Sequence, residues 1–354
     1  MAVYYISSSN FLFLLNYLQD EYSVFIPVKK DQTRFYKKLQ GPLERPEIEG
    51  YPVIPGEVRA FEPLKSFFVK AREKVAEDYS DETAVSQTKP YCIVGAKACD
   101  LKGFKIQDSV FANNDYKDPS YLKQRNQNLI ISSDCTCALD TCFCLALHVD
   151  PYPTEEFDMN LSPLDEGYLV ETGSEKGEEI VNKNSSIFEK PTDQQISLRD
   201  KQRQAVANEV QKNIKENQVP DQDRLEVVIE KNYESELWKE EADRCVECGA
   251  CNTICPTCHC FLLYDQKKED YLARLRIWDS CLLKSFARVA GGANPRPILW
   301  MRLRNRFEKK FDFFPKTIET YACTGCGRCV LACPAKIDIR EVLKKLVEVE
   351  NVQK

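Results

Sequence analysis

The stretch Cys245-Val-Glu-Cys248-Gly-Ala-Cys251-Asn-Thr-Ile-Cys255-Pro256 returns later as Cys323-Thr-Gly-Cys326-Gly-Arg-Cys329-Val-Leu-Ala-Cys333-Pro334. Both copies read C-x2-C-x2-C-x3-C-P, a spacing suited to iron–sulfur clusters. Three closely spaced thiolates wrap three irons of one cubane, and the fourth cysteine then faces the neighbouring cluster. The proline that follows has no N–H to donate and redirects the chain. The spacing predicts two [4Fe–4S] clusters with crossed ligation. Cys245, Cys248, Cys251 and Cys333 hold one; Cys323, Cys326, Cys329 and Cys255 hold the other. Zinc takes four ligands and has no use for this threefold step. The 67 residues between Cys255 and Cys323 exceed what a small two-cluster module needs, which points to a helical variant with a long insertion.

Three more cysteines lie in the same half: Cys258, Cys260 and Cys281. Their spacing fits buried thiols beside the clusters, an extra cluster ligand or a redox-active pair. Cys255-Pro-Thr-Cys258-His259 also matches the c-type haem attachment sequence, but haem would take Cys255 from the second cluster. A separate block of six cysteines runs from Cys92 to Cys144. Cys92 sits inside an apolar run and reads as a core thiol. Cys99 follows that run at a loop, and Asp134-Cys135-Thr-Cys137-Ala-Leu-Asp-Thr-Cys142-Phe-Cys144 crowds further thiols together. Cys142 and Cys144, two apart, could share one face of extended chain. This density favours a third iron–sulfur cluster over unliganded or disulfide-forming thiols.

Composition points the same way. Seventeen cysteines against two histidines put metal or redox chemistry first, and an odd count forbids complete disulfide pairing. With 55 acidic and 49 basic residues the net charge is −6, which argues against a nucleic-acid binder. The N-terminus has no basic segment and its apolar run, residues 11–15, is short; neither an export signal nor a membrane span is expected. Clustered thiols then belong in a reducing cytoplasm.

The expected fold class is α+β, in two domains. Residues 1–195 form a mixed α/β domain carrying the additional iron–sulfur site, and residues 196–354 an α-helical ferredoxin-type domain carrying the crossed motifs. Residues 22–28, 91–94, 128–132 and 168–171 read as strands. Residues 67–76 and 116–127 read as helices. Residues 174–201 read as charged, polar loop leading into helix, a boundary or mobile arm. Residues 200–217 and 225–244 favour helix, as does the spacing of Ile339, Val342, Leu343, Leu346 and Val347. Residues 265–310 hold twelve Lys or Arg against five Asp or Glu. They read as a solvated helical surface, as cations that raise a cluster's potential, or as a docking face of Arg296, Arg302, Arg304 and Arg306.

Several uncommon segments together resemble a known family. They are Cys255-Pro-Thr-Cys-His-Cys-Phe261, Trp278-Asp-Ser-Cys281, Gly291-Gly-Ala-Asn-Pro-Arg296 and Arg302-Leu-Arg-Asn-Arg306, with AKACDLKGFKIQDSVF (96–111), DTCFC (140–144) and GYLVETGSEKG (167–177). Over roughly residues 90–345 the chain resembles the family that unites the iron–sulfur A-subunits of anaerobic sulfite reductase with sulfhydrogenase beta subunits. The resemblance implies an iron–sulfur electron-transfer subunit beside a flavin- and NAD(P)-binding subunit. That pair would feed a catalytic partner: a hydrogenase, a sulfite reductase or a heterodisulfide-reductase-like module. It also implies Cys99, Cys135, Cys142 and Cys144 as the ligands of the third cluster. Cys137 is an additional thiol that can replace Cys135, while Lys97 and Ala98 stand where the family carries arginine and proline.

No G-x-G-x-x-G follows a strand and no phosphate-binding P-loop occurs, so NAD and ATP are not expected to bind this chain itself. Gly173-Ser-Glu-Lys-Gly177 reads as a turn. His148 and His259 leave little scope for imidazole catalysis. The electron-transfer reading therefore leads, with no catalytic residues assigned. Its rivals are a reductase with a substrate-binding cluster or redox-active dithiol of its own, and an adaptor that metal merely stabilises.

Overall fold

Residues 91–96 (Tyr-Cys-Ile-Val-Gly-Ala) and 129–133 (Leu-Ile-Ile-Ser-Ser) are buried along almost their whole length, as strands at the centre of a parallel sheet must be. The computed structural model describes residues 2–77, 89–113, 115–267 and 271–352, the side chains of 222–224 and 350–352 excepted. Its strands are β1 (Val3–Ser7), β2 (Ser23–Lys30), β3 (Thr33–Lys38), β4 (Glu47–Ile48), β5 (Tyr51–Pro52) and β6 (Arg72–Glu77). They continue as β7 (Tyr91–Ala96), β8 (Leu129–Ser133), β9 (Met159–Leu164), β10 (Gly167–Thr172), β11 (Phe261–Lys267) and β12 (Leu272–Trp278). The main sheet has the order β1-β10-β9-β8-β7-β2-β3. The β2–β7, β7–β8 and β8–β9 pairs are parallel, with antiparallel strands at both margins.

Side-chain alternation fills a core on each face. Cys92, Val94, Leu129 and Ile131 join Phe11, Leu14, Leu15 and Leu18 of helix α1 (Ser8–Leu18). Ile93, Ala96 and Ile130 join Leu101 and Phe104 of α2 (Ala98–Phe111) and Tyr121 of α3 (Pro119–Gln127). Cys92 is fully buried, which pushes its thiol well up, as a core cysteine requires. Because β7 and β8 are parallel and joined through α2 and α3, the loop entering α2 and the loop leaving β8 emerge at the same carboxyl edge. Open α/β sheets place ligand sites at that edge. Cys99 lies in the first turn of α2, just past the first loop, and Cys135–Cys144 follow in the second loop and the 3-10 turn that begins at Cys144.

Three expectations are corrected. Residues 67–76 are not helical: a 3-10 turn (Leu64–Phe67) leads into β6. Arg72, Glu73, Lys74 and Ala76 have helix-forming preferences, but antiparallel pairing with β12 overrides them, and Glu73 pairs with the buried Arg276. Nor is the segment after Gly173 a loop. Ser174 caps α4 (Glu175–Lys183) by accepting from the Gly177 N–H, and Ile180 and Val181 pack on the α1 face. Third, the insertion between the motifs is not wholly helical, because the β11–β12 hairpin joins β6 in a three-stranded sheet.

The later helices pack around one further core. They are α5 (Asp193–Glu216), α6 (Gln222–Lys231), α7 (Leu237–Asp243), α8 (Ala250–Thr253), α9 (Leu299–Glu308), α10 (Phe314–Ile318), α11 (Arg328–Ala332) and α12 (Ile339–Val352). Val210, Trp238, Phe307, Leu343 and Leu346 meet there with Phe143 and Leu147 from the first half of the chain. Asn232 ends α6 and splits residues 225–244 into two helices. Between α9 and α10 runs a π-helical turn, Lys309–Phe313. Among the described residues, no helix is long and apolar enough to cross a membrane.

Candidate metal centres

The two cysteine motifs fold alike. In each, the glycine after the second cysteine takes a left-handed conformation, Gly249 at φ +71° and Gly327 at φ +69°, and starts a short helix, α8 or α11. A side chain at these φ values is strained, which is why glycine stands there. The two short helices pack together. Cys245, Cys248, Cys251 and Cys333 line one cavity, together with Cys329 and the apolar walls of Leu303, Phe307, Ile337 and Ile339. The Ile337 N–H donates to Cys333 Sγ at 3.3 Å.

Cys255 lies deeper, beside the π-helical turn. That turn carries Lys310 inward, 4 % exposed, so that Nζ lies 3.3 Å from Cys255 Sγ and donates to Thr257 Oγ1 at 3.1 Å and the Ala322 carbonyl at 2.8 Å. Burial works against the ammonium, yet Cys255 and Cys258 hold its pKa above the ordinary range. In turn, a hydrogen bond from Cys258, then Lys310, pull the Cys255 thiol well down. Cys323 and Cys329 lie within electrostatic reach of Cys255 and Lys310, and burial pushes the Cys323 thiol up to about 12. Cys326 instead lines the N-terminal cavity.

That second cavity brings together Cys99, Cys135, Cys142 and Cys144, and Cys137 lines it as well. Cys142 and Cys144 are not in extended chain, because a 3-10 turn begins at Cys144. Asp134 anchors the chain beside Cys135: it takes Arg203 Nε of α5 at 2.7 Å, Ser162 Oγ at 2.7 Å and Asn160 Nδ2 at 2.9 Å. Lys97, 2 % exposed, donates to the Pro55 and Asp134 carbonyls at 2.6 and 3.0 Å, and burial lowers its pKa. The far wall comes from the second motif. The Phe143 N–H donates to the Gly325 carbonyl at 2.9 Å, and a Cβ on Gly325 would lie 2.4 Å from Cys144 Cα. Arg59 donates to the Cys326 carbonyl.

These thiols stand around voids. Among the described residues no three Cys, His, Asp or Glu side chains converge to hold a single metal ion, whose sulfur ligands would each sit about 2.3 Å from it. A cubane spreads its ligands over four corners, so a cysteine-walled cavity fits it better. The charges fit as well. Arg306, 5 % exposed, lines the first cavity; its Nε bonds Asn252 Oδ1 at 2.9 Å, while Nη2 has no protein partner. An unsatisfied buried guanidinium nitrogen is costly, and an anionic cluster beside it removes that cost. Arg302 and Arg304 are also buried, so of the docking face expected of Arg296, Arg302, Arg304 and Arg306 only Arg296 is partly exposed. Arg302 binds the Leu282, Arg296 and Pro297 carbonyls, and Arg304 covers the Tyr233 ring.

Sequence reading singled out Lys97 and Arg306 but missed two further cations at these sites, Arg59 and Lys310, together with Asp134 and Asn252. Of the missed residues, Lys310 alone lies in the Lys/Arg-dense stretch 265–310. Asn252, the residue after Cys251, is 1 % exposed. Its Oδ1 accepts from Arg306 and from Cys258 Sγ at 3.6 Å, and its Nδ2 donates to Ser280 Oγ at 2.9 Å and Cys281 Sγ at 3.1 Å. His259 turns Nδ1 to the Thr257 carbonyl at 3.1 Å, and burial lowers its pKa to about 4.

Residues 244–337 match the model of a 4Fe-4S dicluster domain. The chain is similar to sulfhydrogenase 2 subunit beta of Pyrococcus furiosus, 33% identical over 292 residues that span 82% of this chain and 84% of that protein. It is also similar to the F420-dependent formate dehydrogenase subunit beta of Methanocaldococcus jannaschii. There the identity is 23% over 183 residues, 50% of this chain and 38% of that protein. The molecule is thus a mixed α/β protein with a C-terminal 4Fe-4S dicluster domain.

Proposed function

The chain belongs to the family of sulfhydrogenase beta subunits, and from that premise we propose that it relays single electrons between a flavin- and NAD(P)-binding subunit and a catalytic redox partner. That partner is a hydrogenase, a sulfite reductase or a heterodisulfide-reductase-like module, and the complex works in the cytoplasm. In this reading residues 196–354 hold two crossed clusters, on Cys245, Cys248, Cys251 and Cys333 and on Cys323, Cys326, Cys329 and Cys255. Residues 1–195 hold a third, on Cys99, Cys135, Cys142 and Cys144. When bound, each cluster takes up and returns one electron at a time.

One observation carries the reading: two cysteine-walled cavities flank the second motif, with Cys329 lining one and Cys326 the other. A single motif thereby touches both outlying sites, as a relay requires. The chain's own residues then have distinct tasks. Leu303, Phe307, Ile337 and Ile339 keep water from the first site. Arg306 and Lys310 hold positive charge between the motifs. Arg59 and Lys97 do the same beside the N-terminal thiols.

The test is anaerobic purification of the native complex, followed by iron and sulfide analysis and low-temperature EPR of this subunit. About twelve irons per chain are expected, four for each cluster. About eight would remove the N-terminal cluster, and isolation of the chain without redox partners would remove the relay. Cys333→Ala is expected to damage the cluster on Cys245, Cys248 and Cys251 first.

A further inference from the structure

The two motifs repeat in sequence, but their fourth cysteines do not meet the same donors. Cys333, partly exposed, accepts from the neutral Ile337 N–H at 3.3 Å. Cys255, 8 % exposed, has the Lys310 ammonium at 3.3 Å instead. Among the described residues no other charged side chain hydrogen-bonds to a motif sulfur. Thr257 Oγ1 also stands 3.1 Å from Cys255 Sγ, but its single proton goes to the Ala322 carbonyl at 2.7 Å. A thiolate at Cys255 therefore depends on Lys310 for its hydrogen bond. The ammonium has three protons and three near partners: the Thr257 hydroxyl, the Ala322 carbonyl and Cys255 Sγ, with Cys258 Sγ farther off at 3.8 Å. Two oxygens thus fix the nitrogen and leave one N–H for the sulfur. Lys65, 6 % exposed, adds a second ammonium to the same turn, donating to the Asn252 and Cys258 carbonyls at 3.3 and 2.8 Å.

We infer that Lys310 is the positioning residue that makes the cluster on Cys323, Cys326, Cys329 and Cys255 the first of the C-terminal pair to take an electron, an inference that rests on the crossed ligation proposed above. Each electron adds one negative charge to a cluster and its thiolates, and hydrogen bonds to the sulfurs set how readily it is accepted. Burial alone opposes the added charge at Cys255. The same low dielectric magnifies the pull of a cation a few ångströms away, and a charge-assisted bond is about twice as strong as a neutral one. Arg306 does not choose between the two sites, since it hydrogen-bonds Asn252 rather than a sulfur. One electron leaves the flavin-bearing partner and one arrives; no bond forms or breaks, because Lys310 keeps its three protons. The electron then rests at the buried site, whose Cys326 walls the N-terminal cavity, and not at the site where Cys248 is exposed.

The test is an anaerobic redox titration of the intact chain, its iron retained, followed by low-temperature EPR. Cys323→Ser and Cys245→Ser identify the two C-terminal signals, each by perturbing one of them. In the wild type, the signal that Cys323→Ser perturbs is expected to appear first. Lys310→Met is expected to lower that reduction equilibrium at least about tenfold, which is about 59 mV for one electron, with a smaller shift in the other signal. A wild-type chain carrying heavy nitrogen at lysine Nζ should show a nitrogen coupling in pulsed EPR of the first-reduced state, and this measurement decides the matter where Lys310→Met loses iron. Two signals in the opposite order, no shift in an iron-loaded Lys310→Met, or no lysine coupling would overturn the inference alone. A single C-terminal signal in the wild type, or a Lys310→Met shift on the signal that Cys245→Ser perturbs, would overturn the crossed-cluster reading and the inference with it.

Discussion

Arg306 sits where two groups of thiols can feel one guanidinium. Cys251, Cys329, Cys258 and Cys255 all favour its charge against a large burial penalty. A cation fixed beside anionic clusters favours their reduced forms. Arg306→Leu is therefore expected to lower the reduction potentials of both C-terminal clusters, with Arg306→Lys restoring part of the shift; an EPR-monitored redox titration reads this directly. Arg306→Leu potentials equal to wild type would remove the role. His259 supplies a test by pH. Its folded pKa of about 4 lies below the ordinary 6.5, so the unfolded chain binds the extra proton between those values. Stability is full above pH 6.5 and falls as pH drops toward 4, by about 2 kcal/mol between pH 7 and 5. His259→Gln should remove that part of the acid sensitivity in urea unfolding.

At the scale of elements, the loop before α11 does two jobs. Its cysteines belong to the second motif, while Gly325 and Gly327 press against Cys144 and Thr141, where a Cβ would come within 2.4 Å of Cys144 Cα and 2.2 Å of the Thr141 carbonyl. Gly327→Ala is expected to cost at least about 1–3 kcal/mol, from positive-φ strain and the clash. It should also lower iron content at both adjoining sites, seen as weaker visible absorption per chain. Much of this was legible beforehand. The motif cysteines follow from local spacing and the buried strands expected at 91–94 and 128–132 from apolar runs, whereas the set Cys99, Cys135, Cys142 and Cys144 follows from the family resemblance. What was hidden depends on distant partners. β6 becomes a strand only because β12 lies beside it, and Lys310 turns inward only because a π-helical turn rotates it away from its α-helical direction. Ser174 was legible in principle, as a capping residue with Glu175 and Glu178 in the following turn.

Across the whole molecule, Arg328 ties the halves together. It is 1 % exposed, bonds the Ala60 and Phe61 carbonyls at 3.1 and 3.2 Å, and pairs with the buried Asp100 at 2.7 Å, next to Cys99. Removing one partner of a buried pair strands the other, so Arg328→Leu is expected to cost about 3–5 kcal/mol in denaturant unfolding. Arg328→Leu, Asp100→Leu together should recover part of it. The same closure has a consequence for biosynthesis. Gly325 and Cys326 wall the N-terminal cavity but follow Cys144 by about 180 residues. At ribosomal rates of roughly 5–20 residues per second, that wall arrives on the order of ten seconds or more after the thiols it covers. On the proposal that these thiols hold a third cluster, they have until then an open side through which iron and sulfide can reach them. Once the second motif docks, that side is closed.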